Sequence, residues 1–208
     1  MLDKYLEFLE YLMGSLNKYF ASQSPYIKCK MGCSKCCSNG DYPFSQIEVE
    51  LLKVGFHRLD NQTQQKILNN IKQIIKDKDA CENKDEFRYQ CPFLINNMCS
   101  VYEYRGIICR TFGLIYMKEG AKMQIPFCAY EGLNYSNVLD KEKDMLDADR
   151  MKELGIEVEP KAYNIHYDFL TSDKVAHAFQ FEYGNKSSLI EILRNDKTFK
   201  HLLEEHSN

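Results

Sequence analysis

The chain has 208 residues, 44% of them hydrophobic, enough for one domain with its own core. Its formal net charge of −3 supplies no overall basic field to draw in nucleic acid, and no stretch is long and apolar enough to span a bilayer. The N-terminal run carries Asp3, Lys4, Glu7 and Glu10 and lacks the basic-then-apolar pattern of an export signal, so the cytoplasm, where thiols stay reduced, is the expected compartment.

Taken in order, Leu2, Leu6, Leu9, Leu12/Met13, Leu16 and Phe20 recur at helical spacing, which predicts an amphipathic core helix over 2–20. A cysteine-rich loop follows and closes on the turn-forming Ser38-Asn39-Gly40-Asp41. Ser45 with Glu48 forms a capping box and predicts a helix to about Leu59. A second helix is expected over 61–76, with Ile67, Leu68, Ile71, Ile74 and Ile75 on one face. Lys76–Glu86 reads as a charged loop. CPFLINNMCSVY then reads as a hairpin turning at Asn96-Asn97, residues that tolerate left-handed conformations. YEYRGIICRTFG predicts a short helix ending at Gly113, and 114–127 a second hairpin turning at Glu119-Gly120. Helical patterns follow at 141–154, 163–180 and 187–205. The expected fold is mainly α with small antiparallel β-hairpins, forming a cysteine-rich metal-binding domain. Residues 1–140 would hold the N-terminal helix and the cysteine cluster, and 141–208 a helical extension packed on the same domain.

Nine cysteines carry the chemistry. Cys29, Cys33, Cys36 and Cys37 crowd into CKMGCSKCC, and Cys91, Cys99, Cys109 and Cys128 follow from the hairpin region. Thiolates drawn from two such segments suit zinc or an iron–sulfur cluster. Cys81 lies in charged surroundings and is left out of the ligand pool. Adjacent Cys36 and Cys37 are expected to diverge, one facing a first site and the other a second site or the interior. A disulfide framework is disfavoured by the odd count and by a core that needs no staples. Lys28, Lys30, Lys35, Arg105 and Arg110 flank the cysteines and could offset thiolate charge, or simply be solvated or paired elsewhere. Phe93, Phe112 and Phe127 could shield a site or pack in the core. His57 sits in a predicted helix and reads as structural.

CKMGCSKCC, CPFL, MCSVYEYRGIICRTFG and Cys128, in that order, resemble the YkgJ-type cysteine-cluster family over about residues 29–132. That family is described as a candidate zinc- or iron-chelating domain and includes the cluster region of flagellin lysine N-methylases. Cys91-Pro92-Phe93-Leu94 and the positions Tyr102, Arg105, Cys109 and Arg110 match its motifs. The first cysteine spacing is one residue longer, and Gly106 stands where the family usually has proline. The resemblance implies zinc or iron without choosing between them.

Three functions compete. A cysteine-rich protein holding an iron–sulfur cluster, [4Fe–4S] in preference to zinc, could transfer electrons or sense redox state with an unidentified protein or redox partner. A zinc-stabilised interaction module would use the same ligands without chemistry. An S-adenosylmethionine enzyme is suggested by the family's methylase branch, and by the Cys29, Cys33, Cys36 spacing, which is that of radical enzymes. Against it, position 35 is Lys instead of an aromatic, no strand–helix alternation is present, and no two glycines are separated by one residue as a Rossmann-type loop requires. No catalytic set is identifiable by motif. The first function is the expected one.

Overall fold

A computed structural model of the protein describes residues 1–30, 32–118 and 122–205. Helix α1 runs Leu2–Ser22 and buries Tyr5, Phe8, Leu9, Leu12 and Leu16. The expected face is rotated slightly: Leu6 is exposed, and Tyr5 and Phe8 take the core side. Their rings meet Phe181 at 5.4 Å and Phe179 at 5.2 Å, respectively, and aromatic burial of that size outweighs a single leucine.

The cysteine loop contains the short helix α2, Lys35–Ser38. Strand β1, Pro43–Ser45, leads into α3, Gln46–Phe56. The Glu48 carboxylate reaches back to accept from the Ser45 backbone N–H at 2.8 Å and its hydroxyl at 2.6 Å, as the capping-box reading expects. Helix α4, Asn61–Ala80, is capped by Asp60, whose carboxylate accepts from Thr63 N–H at 2.9 Å. It runs one turn beyond its expected end. Buried Lys78 explains the extension, because its ammonium meets Asp41 at 3.2 Å and Glu191 at 3.3 Å.

The hairpin of β2, Leu94–Ile95, and β3, Met98–Cys99, turns where expected, with Asn96 and Asn97 at φ 52° and 61°. Helix α5, Ile107–Thr111, is followed by Gly113 at φ 102°. Strands β4, Tyr116–Lys118, and β5, Lys122–Gln124, pair antiparallel; the turn expected at Glu119-Gly120 lies outside the described residues.

Three expectations for the last third are corrected. Residues 141–154 do not start as helix. Strands β6, Leu139–Asp140, and β7, Met145–Leu146, form a hairpin there. The Asp140 carboxylate accepts from Glu142 and Lys143 N–H, and Asp144 is left-handed at φ 52°, a local turn that competes with helix. Helix α6 is only Ala148–Glu153. The 163–180 pattern breaks into α7, Tyr167–Leu170, and α8, Asp173–Phe179, at Thr171-Ser172. Ser187-Ser188 belongs to β8, Lys186–Ser188, which pairs with β1. Helices α9, Leu189–Asn195, and α10, Lys197–Glu205, follow, parted at Asp196, whose carboxylate caps the start of α10.

Three apolar clusters hold these elements together. The first joins α3, α4 and α9 through residues such as Val49, Ile71 and Leu193. The second packs α1 on α3, α7 and the segment 181–183. The third gathers Tyr26, Ile115, Tyr135 and Val138 beneath the β6–β7 hairpin. Among the described residues, no helix is long and apolar enough to cross a membrane.

Candidate metal centre

The thiols fall into two neighbouring groups. Cys29, Cys33 and Cys128 form the outer one. Asn134, fully buried, builds it. Its side-chain oxygen accepts from Lys28 N–H at 2.7 Å and Cys29 N–H at 3.0 Å, and its amide donates to the Gly113 carbonyl at 2.8 Å. One side chain thus ties the cysteine loop to the segment leaving α5. A Cβ at Gly113 would sit 2.7 Å from that amide nitrogen, and the positive φ independently requires glycine. Cys128 lies on a 3-10 turn, Phe127–Ala129. Its thiol donates to Cys29, which lowers the Cys29 pKa to about 6, with Asn134 and Cys33 helping against desolvation. Cys128, as the donor, is correspondingly raised.

Cys36, Cys37, Cys91, Cys99 and Cys109 form the inner group. The Cys36 and Cys37 sulfurs are 3.8 Å apart. Both line one narrow cavity of about 30 Å³ with Cys91 and Cys109, walled by Tyr42 and Phe112. The expected divergence of the adjacent pair does not occur; α2 turns both side chains to the same space. Cys91 is fixed by its N–H donating to the Cys37 carbonyl at 2.7 Å. Cys99 stands on β3 opposite Leu94, and Cys109 rides on α5.

Glu48 orients that helix. Its second oxygen accepts the Ile107 N–H at 2.7 Å, while Tyr167 donates its hydroxyl to the first, also at 2.7 Å. This wholly buried carboxylate therefore satisfies an orphan N–H at the start of α5 and ties it to α3 and α7.

Electrostatics differ between the groups. Desolvation pushes the Cys91 thiol up to about 12, and raises Cys99 and Cys109, with thiolate neighbours adding to the effect. In the adjacent pair, Cys37 donates to Cys36, so Cys36 is lowered and Cys37 held protonated. Such a pair loses its two protons in widely separated steps. Arg105 favours the charged forms of Cys36 and Cys99. Its guanidinium lies 3.6 Å from the centre of the Tyr102 ring. Arg110 donates to the carbonyls of Arg105 at 3.0 Å and Glu103 at 2.7 Å. Two of the flanking lysines are engaged elsewhere: Lys28 with the Ser136 hydroxyl at 2.9 Å and Lys35 with Glu131 at 3.1 Å. Cys81 caps the end of α4 and meets the Asn83 carbonyl at 3.4 Å. His57 is the residue after α3 and packs on Phe56. Phe93 is buried in the core, Phe112 walls the thiol cavity, and Phe127 is about half exposed.

Among the described residues, no three His, Cys, Asp or Glu side chains already close on a single ion position. The thiols stand as a gathered pool. Its donor chemistry fits a soft cation: among the described residues of the cavity wall, sulfur ligands and no carboxylate, with arginine charge beside it.

A family model matches residues 28–129: CxxCxxCC, described as "Putative zinc- or iron-chelating domain". This segment is similar to the CxxCxxCC domain. It spans the loop, the hairpin, α5 and Cys128, and so contains both thiol groups. No curated protein and no solved structure matches the chain. The CxxCxxCC assignment bears out the family resemblance and a cysteine-rich metal-binding role. Asn134 and Glu48 are the site-building residues that sequence reasoning missed. The capping box pointed to Glu48, though not to its bonds with α5 and α7; nothing in the sequence marked Asn134.

Proposed function

We propose that the protein holds an iron–sulfur cluster, [4Fe–4S] in preference to zinc, and uses it for electron transfer or redox sensing with a protein or redox partner in a reducing compartment. The observation that carries this reading is the inner group: Cys36, Cys37, Cys91 and Cys109 around one apolar cavity, with Cys99 adjacent and no histidine or carboxylate among the described residues of its wall. Four-thiolate sites also hold structural zinc; the abundance of cysteines beyond four and the lack of histidine among the described wall residues favour the cluster. Such a cluster supplies one-electron redox chemistry when bound.

The chain's own residues set the conditions for it. Five crowded, poorly solvated thiols resist ionising together, which is the cost that a bound cation removes. Arg105 offsets the negative charge that remains. Tyr42 and Phe112 keep water from the thiols on one side. Asn134 and Glu48 hold the loop and α5 in register, so the two halves of the pool face each other. The ligand pool proposed is Cys29, Cys33, Cys36, Cys37, Cys91, Cys99, Cys109 and Cys128.

Anaerobic purification followed by absorption spectroscopy and metal and sulfide analysis tests the reading. A brown protein with iron and acid-labile sulfide in comparable amounts is expected. A colourless protein with stoichiometric zinc and neither iron nor sulfide would replace it with a zinc-stabilised module.

A further inference from the structure

A second cavity, of about 280 Å³, lies between α5, β4 and the start of α7, and no role described so far uses it. Tyr42, Phe112, Tyr116, Phe127, Ile165 and His166 line it, drawn from stretches scattered between residues 42 and 168. Tyr42 and Phe112 meet edge to face at 5.7 Å. These two and Ile108 also wall the thiol cavity, so one layer of side chains separates the two spaces. On the other side, the His166 ring stacks on Tyr116 with centroids 5.6 Å apart. Asp168 Oδ2 lies 3.3 Å from His166 Nδ1, which favours the tautomer carrying its proton on that nitrogen and leaves Nε2 as an acceptor. No lysine or arginine is among the described lining residues.

Each feature restricts the guest. Aromatic walls reward a flat, apolar ring. A single oriented imidazole offers one directional polar contact, suited to a hydroxyl donor. A sulfonate in place of the hydroxyl brings no donor to that acceptor and places an anion near Asp168. We propose that this cleft is a binding site for a small planar aromatic molecule carrying a hydroxyl group, with the hydroxyl on His166 and the ring against Phe112 and Tyr116. A guest there sits one side-chain layer from the inner thiols. The site rests on the cleft alone and holds whichever metal the thiols take.

The test is a fluorescence titration of 2-naphthol into the full chain as purified. The chain has no tryptophan, so the probe's emission is free of indole background. Saturable binding at one site per chain is expected. His166→Ala, Tyr116→Ala and the half-exposed Phe127→Ala should each weaken it by about tenfold, roughly 1.4 kcal/mol. The anion 2-naphthalenesulfonate should bind at least about tenfold more weakly than the neutral phenol. Unchanged affinity in Phe127→Ala and His166→Ala proteins of native circular dichroism would overturn the site, as would equal binding of the sulfonate or no saturation at millimolar probe.

Discussion

The outer and inner thiols belong to one proposed ligand pool, yet their surroundings pull them in opposite directions. Cys29 is solvent-exposed and accepts hydrogen bonds from the Cys128 thiol and the Asn134 side chain, so its pKa falls to about 6. Cys109, on α5 behind Tyr42 and Phe112, is poorly solvated and ringed by other sulfurs, so its thiol is held far up. At neutral pH and without a metal, the outer group presents a thiolate and Cys109 keeps its proton. The contrast teaches that a crowd of cysteines is not uniformly reactive: the outer edge is ready to meet a cation or an electrophile, and the interior ionises when a cation compensates it.

The sharpest way to break this comparison is to remove an inner thiol. Cys109→Ser should cost most of the bound metal, whereas Cys81→Ser should retain it in full, both read by metal analysis of anaerobically purified protein. Equal loss from the two would mean that the pool is drawn wrongly.

Glu48 tests the scaffold under the inner group. Glu48→Gln places an amide where four donors converge, so urea unfolding should report a loss of about 1–3 kcal/mol. Burial raises the Glu48 carboxyl above its ordinary value despite those hydrogen bonds. The native state therefore holds this proton more tightly than the unfolded chain does. The resulting stabilisation is complete below the unfolded carboxyl pKa and is lost as pH rises through the folded one. The glutamine variant should lack that slope, and a variant with the wild-type pH dependence would remove Glu48 as its source.

The outer group can be sharpened by alkylation. On metal-free protein, the rate of Cys29 modification by iodoacetamide, followed by peptide mass spectrometry, should rise with a midpoint near pH 6. Cys128→Ala, which deletes the donor, should move that midpoint upward, since the Cys128 hydrogen bond is the largest influence on it. A midpoint indifferent to Cys128 would leave the acidity of Cys29 without its assigned cause. The smallest effect is expected from Lys35→Ala. Its ion pair with Glu131 is half-exposed, so stability should change by no more than about 1 kcal/mol and metal content should hold.

Much of this arrangement was legible in the sequence because it is local. Helical spacing located α1, α3 and α4, and Asn96-Asn97 located the first hairpin turn. The ordered cysteine motifs identified the domain now matched over residues 28–129. What escaped depends on partners far along the chain. Asn134 clamps Cys29 across 105 positions, and no neighbour of either residue announces it. Lys78 read as part of a charged loop because its carboxylates, Asp41 and Glu191, are remote. The hairpin at 139–146 carries an apolar pattern that fits a helix as well; Asp140 and Asp144 decide the matter through local turn chemistry. The adjacent Cys36 and Cys37 were expected to part because side-chain direction was judged as in an extended chain, whereas α2 curls them to one side.

The pairing of β1 with β8 sets an order of assembly. Pro43 lies beside Ser188, and Leu189, the next residue, forms part of the wall of the thiol cavity. During synthesis the clustered cysteines leave the ribosome well before that wall exists. Long-range strand closure is intrinsically slow, so the nascent protein passes through an interval in which the inner thiols lie open. A soft cation would reach those thiols most readily in that interval, before the last stretch of chain docks and seals the chamber.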